Sequence, residues 1–362
     1  MYQPFAAKLY AGLEALSTMP RIPSSRTIQG EFALIEAIRK RAARAGGRGG
    51  AVRLGIGDDC AVLRPKAGHE ICVTTDFSLE GVHFRRDLHP AQSVGHRCLA
   101  RGLSDLAAMG AEPMGIFLSL AVPARTPARW VDGFLDGLLT LAAQHGVALA
   151  GGDTAQSPDR IVADIVAVGQ LPAGTARLRS GARAGDIVYV TGALGGSAAE
   201  LLALMRSPGR FRGLAGAAAG HPHLYPEPRV AVGRRLRTLA HAMIDISDGL
   251  STDLTHLCDA SGLAAVMDAA ALPIHPLARA AEQSGLAESA IDLALHGGED
   301  YELLFTAAPS VRIPRRIAGV PVHRIGTMGQ RARRQPQLTL RGSDGRATPL
   351  KRAGWEHFQA KK

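Results

Sequence analysis

Apolar residues recur three and four apart in "EFALIEAIRKRAARA", where Phe32, Leu34, Ile35 and Ile38 fall on one stripe. That period predicts a first helix, ended by Gly46 and Gly47. The pattern then shortens to the alternation of strands: "AVRLGIGDDCAVL" reads as strand, glycine turn and strand, and "EICVTTDFS" as a further strand. Helical periodicity returns at about 92–109 and 128–145, on either side of the strand-like "MGIFLSLAVP". A buried run ends in "GGDT", and "IVADIVAVGQL" supplies another strand that closes the first half.

The stretch "PAGTARLRSGARAGD" is poor in core residues and marks the expected domain boundary. The second half opens with "DIVYVTGALGGSAAELLALM", a strand, a glycine turn and a helix. A helix near 228–240, the strand "AMIDIS", a helix from about 250, and the strands "LAAVMD" and "DYELLFTA" follow, with a loop at 206–220. Helices and strands alternate in both halves, which points to α/β or α+β architecture. The expected units are an N-terminal extension at 1–29, a first domain at 30–172 and a second at 173–362. The extension reads as carrying a short helix broken at Pro20 and Pro23.

Length supports that division, since 362 residues exceed the usual span of one core. A hydrophobic content of 46% with 20% charged residues is that of an ordinary folded chain. No apolar run has the length of a membrane span, and the start lacks the order of a secretory signal. Cys60, Cys72, Cys98 and Cys258 form no close pair, so neither a zinc site nor a disulfide framework is indicated, and a reducing cytoplasm is expected. The formal charge of +10 is mostly dispersed arginine without an aromatic RNA-binding signature, zinc finger or recognition helix. The expectation is therefore no nucleic-acid partner, and a field that favours small anions.

Against that positive field the aspartates are conspicuous. "MIDISDGLSTDL" places Asp245, Asp248 and Asp253 around a glycine turn. The strand period sends Asp245 and Ser247 to the face opposite Ile244 and Ile246, and Asp248 falls at the helix N-cap position. Taken alone, Asp248 as a cap and Asp253 as a solvated side chain is the simpler interpretation. The same chemistry recurs, however. "GIGDDC" carries Asp58 and Asp59, "CVTTD" carries Thr74, Thr75 and Asp76, "GGDT" carries Asp153, and "RGLSDLAAMG" carries Asp105. For Asp105 an i,i+4 pair with Arg101 is the alternative. Oxygen ligands on turns and strand ends, without cysteine, suit Mg²⁺, which usually bridges carboxylates to substrate phosphates. A nucleotide is implied, yet no GxxxxGK[ST] loop and no kinase catalytic-loop pattern is present.

The ordered series "GEFALI", "GIGDDCAVL", "TTD", "EGVHF", "LSDLAAMGAEP", "GGDT", "RSGARAGD", "IDISDGLSTDL", "GGEDYELLFT" and "GWEHF" resembles the bacterial thiamine-monophosphate kinase family from Gly30 to Phe358. The resemblance implies a two-domain aminoimidazole-ribonucleotide-synthetase-like fold, a homodimer through the N-terminal domains, and ATP with several Mg²⁺ ions between the domains. It implies Asp59, Thr74, Thr75, Asp76, Asp105, Asp153, Asp245 and Asp248 as the metal shell. Gly152, Asp153, Arg179 and Ser247 would contact ATP, and His83, Glu299 and Trp355 the thiamine part of the substrate. For each of these three a plainer role stays open: an incidental loop histidine, a turn carboxylate and a core tryptophan. "GALGGS" could cradle an anion or be an ordinary turn.

The implied reaction passes the γ-phosphoryl group of ATP to thiamine monophosphate, whose phosphate is already anionic and needs no general base. Three departures from the family pattern stand out: the extension before Gly30, Phe77 and Ser78 after "TTD", and the missing basic residue after "GGDT". The rivals are another ATP-dependent synthetase of the superfamily and a nonenzymatic metal- or nucleotide-binding regulator. Selenophosphate synthetase would need a reactive residue in an N-terminal glycine-rich loop. A hydrogenase-maturation protein would need a C-terminal cysteine, whereas the last here is Cys258.

Overall fold

The computed structural model describes residues 31–45, 50–208, 220–333, 335–342 and 344–355. The 1–29 extension, Gly46, Gly47 and most of the loop expected at 206–220 lie outside the described residues. The helix α1 (Glu31–Ala45) forms where the 3.6-residue period placed it. Ile38 is buried in the first core, but Ile35 stays exposed on that stripe. A small hairpin of β1 (Val52–Leu54) and β2 (Val62–Leu63) carries the "GIGDDC" turn.

The next elements build a four-stranded sheet with two helices. They are β3 (His69–Leu79), α2 (Ala91–Ala108), β4 (Glu112–Pro123), α3 (Ala128–Gln144), β5 (Ala148–Ser157) and β6 (Val162–Pro172). Strand order is β3-β6-β4-β5, with only β4 and β5 parallel. Strand β5 continues through "GGDT", paired with β4 past a register shift, and Gly152 takes a φ of 148° there. Alternation buries Ala163, Ile165 and Ala167 of β6 and Ile116, Leu118 and Leu120 of β4 beneath the helices. On the other face Ile71, Val73 and Phe77 are 52%, 65% and 57% exposed, so one face of this sheet is apolar and open.

The remaining elements are β7 (Ile187–Thr191), α4 (Gly196–Arg206), α5 (Val230–Leu236), β8 (Ala242–Asp245), α6 (Leu250–Ser261), β9 (Leu263–Asp268), α7 (Pro276–Gln283), α8 (Ala290–His296), β10 (Leu303–Ala307), β11 (Arg316–Ile317), β12 (Val320–Gln330), β13 (Leu338–Arg341) and β14 (Ala347–Pro349). Their sheet runs β14-β13-β9-β12-β7-β10-β8, with β11 on β12. The expected strand at "DYELLFTA" begins only at Leu303, since the residues before it turn through left-handed conformations at Glu299 and Tyr301.

Helix α2 joins the two sheets. It is buried nearly all round, as its apolar and small residues on every face require. One side packs on β3 and β6, and the other meets α5 and β8. Accordingly Met243, Leu303 and Phe305 share a core with α2, while Ile244 and Leu304, pointing oppositely, join the core of the second half. A helix held from both sides fixes the polar groups it carries to within the play of packed side chains.

Candidate active site

Where α2, β3 and the end of β8 converge, a cleft of about 370 Å³ opens. Thr75, Asp76, His83, Asp105, Asp245, Ser247, Asp248, Glu299 and Trp355 line it, together with Phe77, Val82, Arg101, Gly297 and Tyr301. Nine of the residues singled out in the sequence therefore meet across nearly 300 positions of chain. The strand period explains part of this. Thr74 and Asp76 share the face of β3 that looks at α2, and the Thr74 hydroxyl donates to Asp105 Oδ2 beneath the cleft floor. Thr75, on the other face, donates to Asp164 Oδ1 at 2.7 Å. From β8, Asp245 is buried and accepts from Ser104 Oγ of α2 at 2.7 Å.

Three carboxylates packed together unsettle one another. Burial, then the Asp105 carboxylate, pushes Asp76 up to about 7, against the pull of Arg101. Burial and then Asp105 push Asp245 up to about 7 as well, with Ser104 and Arg179 working the other way. Arg179 is thus near enough to favour the Asp245 carboxylate, although it sits exposed in the turn Arg179–Gly181 and does not line the cleft.

The turn after β8 differs from expectation. Gly249, not Asp248, occupies the N-cap position of α6, with φ 111°. Asp253 is not solvated but 2% exposed, and its Oδ2 accepts from the amides of Ser247, Asp248 and Gly249, each at 3.1 Å. An acidic side chain in the first turn answers the orphan amides and the positive end of the helix, and leaves Asp248 to face the cleft. The acidic first turn was the signal that could have found it.

Glu299 reaches the cleft through a strained loop. Its φ is 55° and that of Tyr301 is 50°, values non-glycine residues seldom adopt. The loop is held by ladder-like bonds from Glu299 N to Ser247 O at 2.7 Å and Tyr301 N to Ile246 O at 2.9 Å. Gly298 permits this approach, because a Cβ there would lie 2.8 Å from Ser247 O. Burial works to raise the pKa of Glu299, but Arg97 and Arg101 outweigh it and hold the carboxyl at about 2. The i,i+4 spacing of those two arginines on one face of α2 was legible, but their partner was not.

Trp355 arrives by a strap from the chain's last described residues. Gly354 N donates to Thr252 Oγ1 at 3.2 Å and Trp355 N to Asp248 O at 3.1 Å, so the strap lies on the first turn of α6. His83 sits in the turn after β3, its Nδ1 accepting from Leu79 N at 3.0 Å. "GALGGS" is closed to outside anions: half-buried Asp300 accepts from Gly195 N at 2.8 Å and Ser197 N at 3.3 Å at the start of α4.

Asp59, Gly152 and Asp153 do not line the cleft. Asp59 is exposed on the β1–β2 turn, where its amide donates to Asp58 Oδ1 at 2.9 Å. Gly152 and Asp153 line a second groove with Ile35, Ile38, Ile56, Leu118, Leu149 and Thr154. The two places lie along one row of the sheet, since Phe77 faces Asp164, Asp164 faces Ser119 and Ser119 faces Asp153. Three strand spacings make that row about 14 Å long.

The family model described as AIR synthase related protein, N-terminal domain, matches residues 57–171, and its C-terminal counterpart matches 183–334. Thiamine-monophosphate kinase of Escherichia coli (strain K12) is 40% identical over 339 residues, covering 91% of this chain and 98% of that one. The Bacillus subtilis (strain 168) enzyme of the same name is 32% identical over 335 residues, 91% and 99% of the two chains. The crystal structure of thiamine-monophosphate kinase from Stenotrophomonas maltophilia K279a superposes with a TM-score of 0.72 at 37% identity, covering 90% of this chain and all of that one. AaThiL complexed with AMPPCP and TMP gives 0.70 at 29% identity, over 94% and 100%. The hydrogenase maturation protein HypE, at 18% identity and 0.71, shares the fold alone.

Proposed function

The chain belongs to the thiamine-monophosphate kinase family, built on the two-domain fold of AIR synthase related proteins, and from that membership and the cleft we infer its reaction and the residues that serve it. It is an ATP-dependent kinase that passes the γ-phosphoryl group to the phosphate of thiamine monophosphate, giving thiamine diphosphate and ADP in thiamine biosynthesis. One observation carries the reading at the level of this chain: Asp76, Asp105, Asp245 and Asp248 share a single cleft with Glu299 and Trp355. A relative that holds AMPPCP and TMP together supports it.

The donor set fits Mg²⁺. Burial and crowding raise the pKa of Asp76 and Asp245, and a divalent cation is what relieves such crowding. Among the described residues no three His, Cys, Asp or Glu side chains converge tightly enough to hold an ion by themselves. That suits a cation which keeps waters and shares its shell with substrate phosphates. Asp76, Asp105, Asp245 and Asp248 would hold it, with oxygen from Thr74 or Thr75. When bound, Mg²⁺ supplies the charge neutralisation that two polyanions need to approach one another.

The chain's own groups do the rest. The attacking phosphate oxygen is already charged, so positioning replaces a general base. Trp355 offers a ring face to the thiazolium cation, Glu299 a fixed negative charge, and His83 a ring edge at the same end. Ser247 and Arg179 serve ATP near the carboxylates. Gly152 and Asp153 serve it along the cross-sheet row, a span of about 14 Å that a nucleoside triphosphate can bridge, and Asp59 on the β1–β2 turn serves the metal. The exposed apolar face of β3 is the surface on which two copies would pair as a homodimer. Among the described residues no helix is long and apolar enough to cross a membrane, and all four cysteines are free thiols, which favours the cytoplasm.

ADP release with thiamine monophosphate, thiamine and aminoimidazole ribonucleotide precursors, assayed side by side, tests the reading. Turnover is expected with thiamine monophosphate. Turnover confined to an aminoimidazole precursor, or ADP release indifferent to acceptor, would overturn it.

A further inference from the structure

Among the described residues lining the cleft, Arg101 is the one permanent cation, set against Asp76, Asp105, Asp245, Asp248 and Glu299. Its guanidinium reaches in two directions. Nη2 donates to Glu299 Oε1 at 2.6 Å, and Nη1 donates to the carbonyl of Phe77 at 3.2 Å. Phe77 follows Asp76 on β3, so one side chain spans the strand of the carboxylate cluster and the loop of the acceptor wall. Arg97, one turn earlier on α2, donates through Nη2 to both oxygens of Glu299 at 2.7 and 2.8 Å.

These bonds have something to hold. Glu299 stands in a left-handed backbone conformation, which costs free energy and persists only where surroundings over-determine it. Both arginines are deep, with Arg97 4% and Arg101 11% exposed, and both grow from a helix packed between two sheets. Charge-assisted bonds from a planar fork fix direction as well as position. A lysine at position 101 would keep the charge and lose the second reach.

Resting on the kinase reading above, we propose that Arg101 is a positioning residue for the acceptor. It holds the Glu299 carboxylate where the acceptor's cationic ring docks, and keys that wall to β3, so that the acceptor phosphate meets the carboxylate end of the cleft in line. Arg101 acts through Glu299 and touches neither reacting phosphate.

The test is a double-mutant cycle in the kinase assay with purified full chain. Arg101→Met is expected to raise KM for thiamine monophosphate by about tenfold, the size of one charge-assisted hydrogen bond, with KM for ATP within about twofold. Arg101→Lys should recover part of that loss. Glu299→Gln should raise the same KM, and the double variant Arg101→Met/Glu299→Gln should be no worse than Glu299→Gln alone, because both act through one carboxylate. Multiplying effects in the double variant, or KM values for ATP and acceptor that rise together, overturn the proposal and leave the kinase reading standing. Wild-type chain that makes no ADP with thiamine monophosphate overturns the kinase reading, and the proposal falls with it.

Discussion

Asp76 and Asp245 retain protons in the fold that they would release in an open chain, since both move from 3.8 to about 7. Above the ordinary value the unfolded state gives up those protons first, so each group lowers stability as pH rises through that window, and the loss is relieved as pH falls back. A cation that needs ionised ligands must displace the same protons. Adding Mg²⁺ should therefore raise the melting temperature more at about pH 8 than at about pH 5.5. Asp245→Asn should shrink the gain at the higher pH. Scanning calorimetry of both proteins decides it, and equal gains at the two pH values would contradict the metal assignment. At this scale the sequence exposed residue type and spacing but not partners. Asp76 and Asp245 were legible because each sits on a strand with period two. Asp253 was not, because helical period shows only that it lies off the Leu250, Leu254 and Leu257 stripe, while the three amides it serves precede it in the chain. Arg97 and Arg101 likewise gave no hint of a carboxylate some 200 residues away.

The strap over α6 shows what one short element can bring to a site. Gly354 lies so close to the turn that a Cβ would stand 1.9 Å from Asp248 O. Gly354→Ala should thus lift Trp355 out of the cleft and mimic Trp355→Ala. Both variants are expected to raise KM for thiamine monophosphate and spare KM for ATP. A lost cation–π contact of about 1–2 kcal/mol corresponds to roughly five- to thirtyfold. Melting temperatures measured beside the two KM values separate this from simple packing: lower stability with unchanged KM would place Trp355 in the core alone. Long elements such as β3 and α3 were readable because a sustained period outweighs local noise. The short helices α7 and α8 and the strands β11, β13 and β14 offer too few turns or alternations, while the 11-residue β12 pairs with β7 and β9, both distant in sequence. β5 ran past its glycines for the same reason, since pairing with β4 overrode local preference.

For the whole molecule, the open face of the first sheet is the feature one chain alone leaves unexplained. Ile71, Val73 and Phe77 alternate along β3 with half-buried Cys72, Thr74 and Asp76 and would give an apolar interface between two copies. Light scattering should find a dimer for the wild type and a monomer for Val73→Glu; a wild-type monomer with full activity would contradict the pairing. The mixed helix-and-sheet architecture itself was legible from the alternation of helical and strand periods in both halves. The way α2 serves both cores was not, because a helix buried all round shows no single face to read. Catalysis rests on the carboxylates that this helix and the two strands bring together. Thiamine diphosphate and ADP formed from ATP and thiamine monophosphate, quantified by chromatography at saturating Mg²⁺, tests it most directly. Wild-type chain should yield the two products in equimolar amounts. Asp76→Asn and Asp105→Asn, folded by circular dichroism, should each lose at least about a hundredfold in rate, the scale of one electrostatic group in a transition state. Either variant turning over near the wild-type rate, or ADP appearing without thiamine diphosphate, would contradict the account.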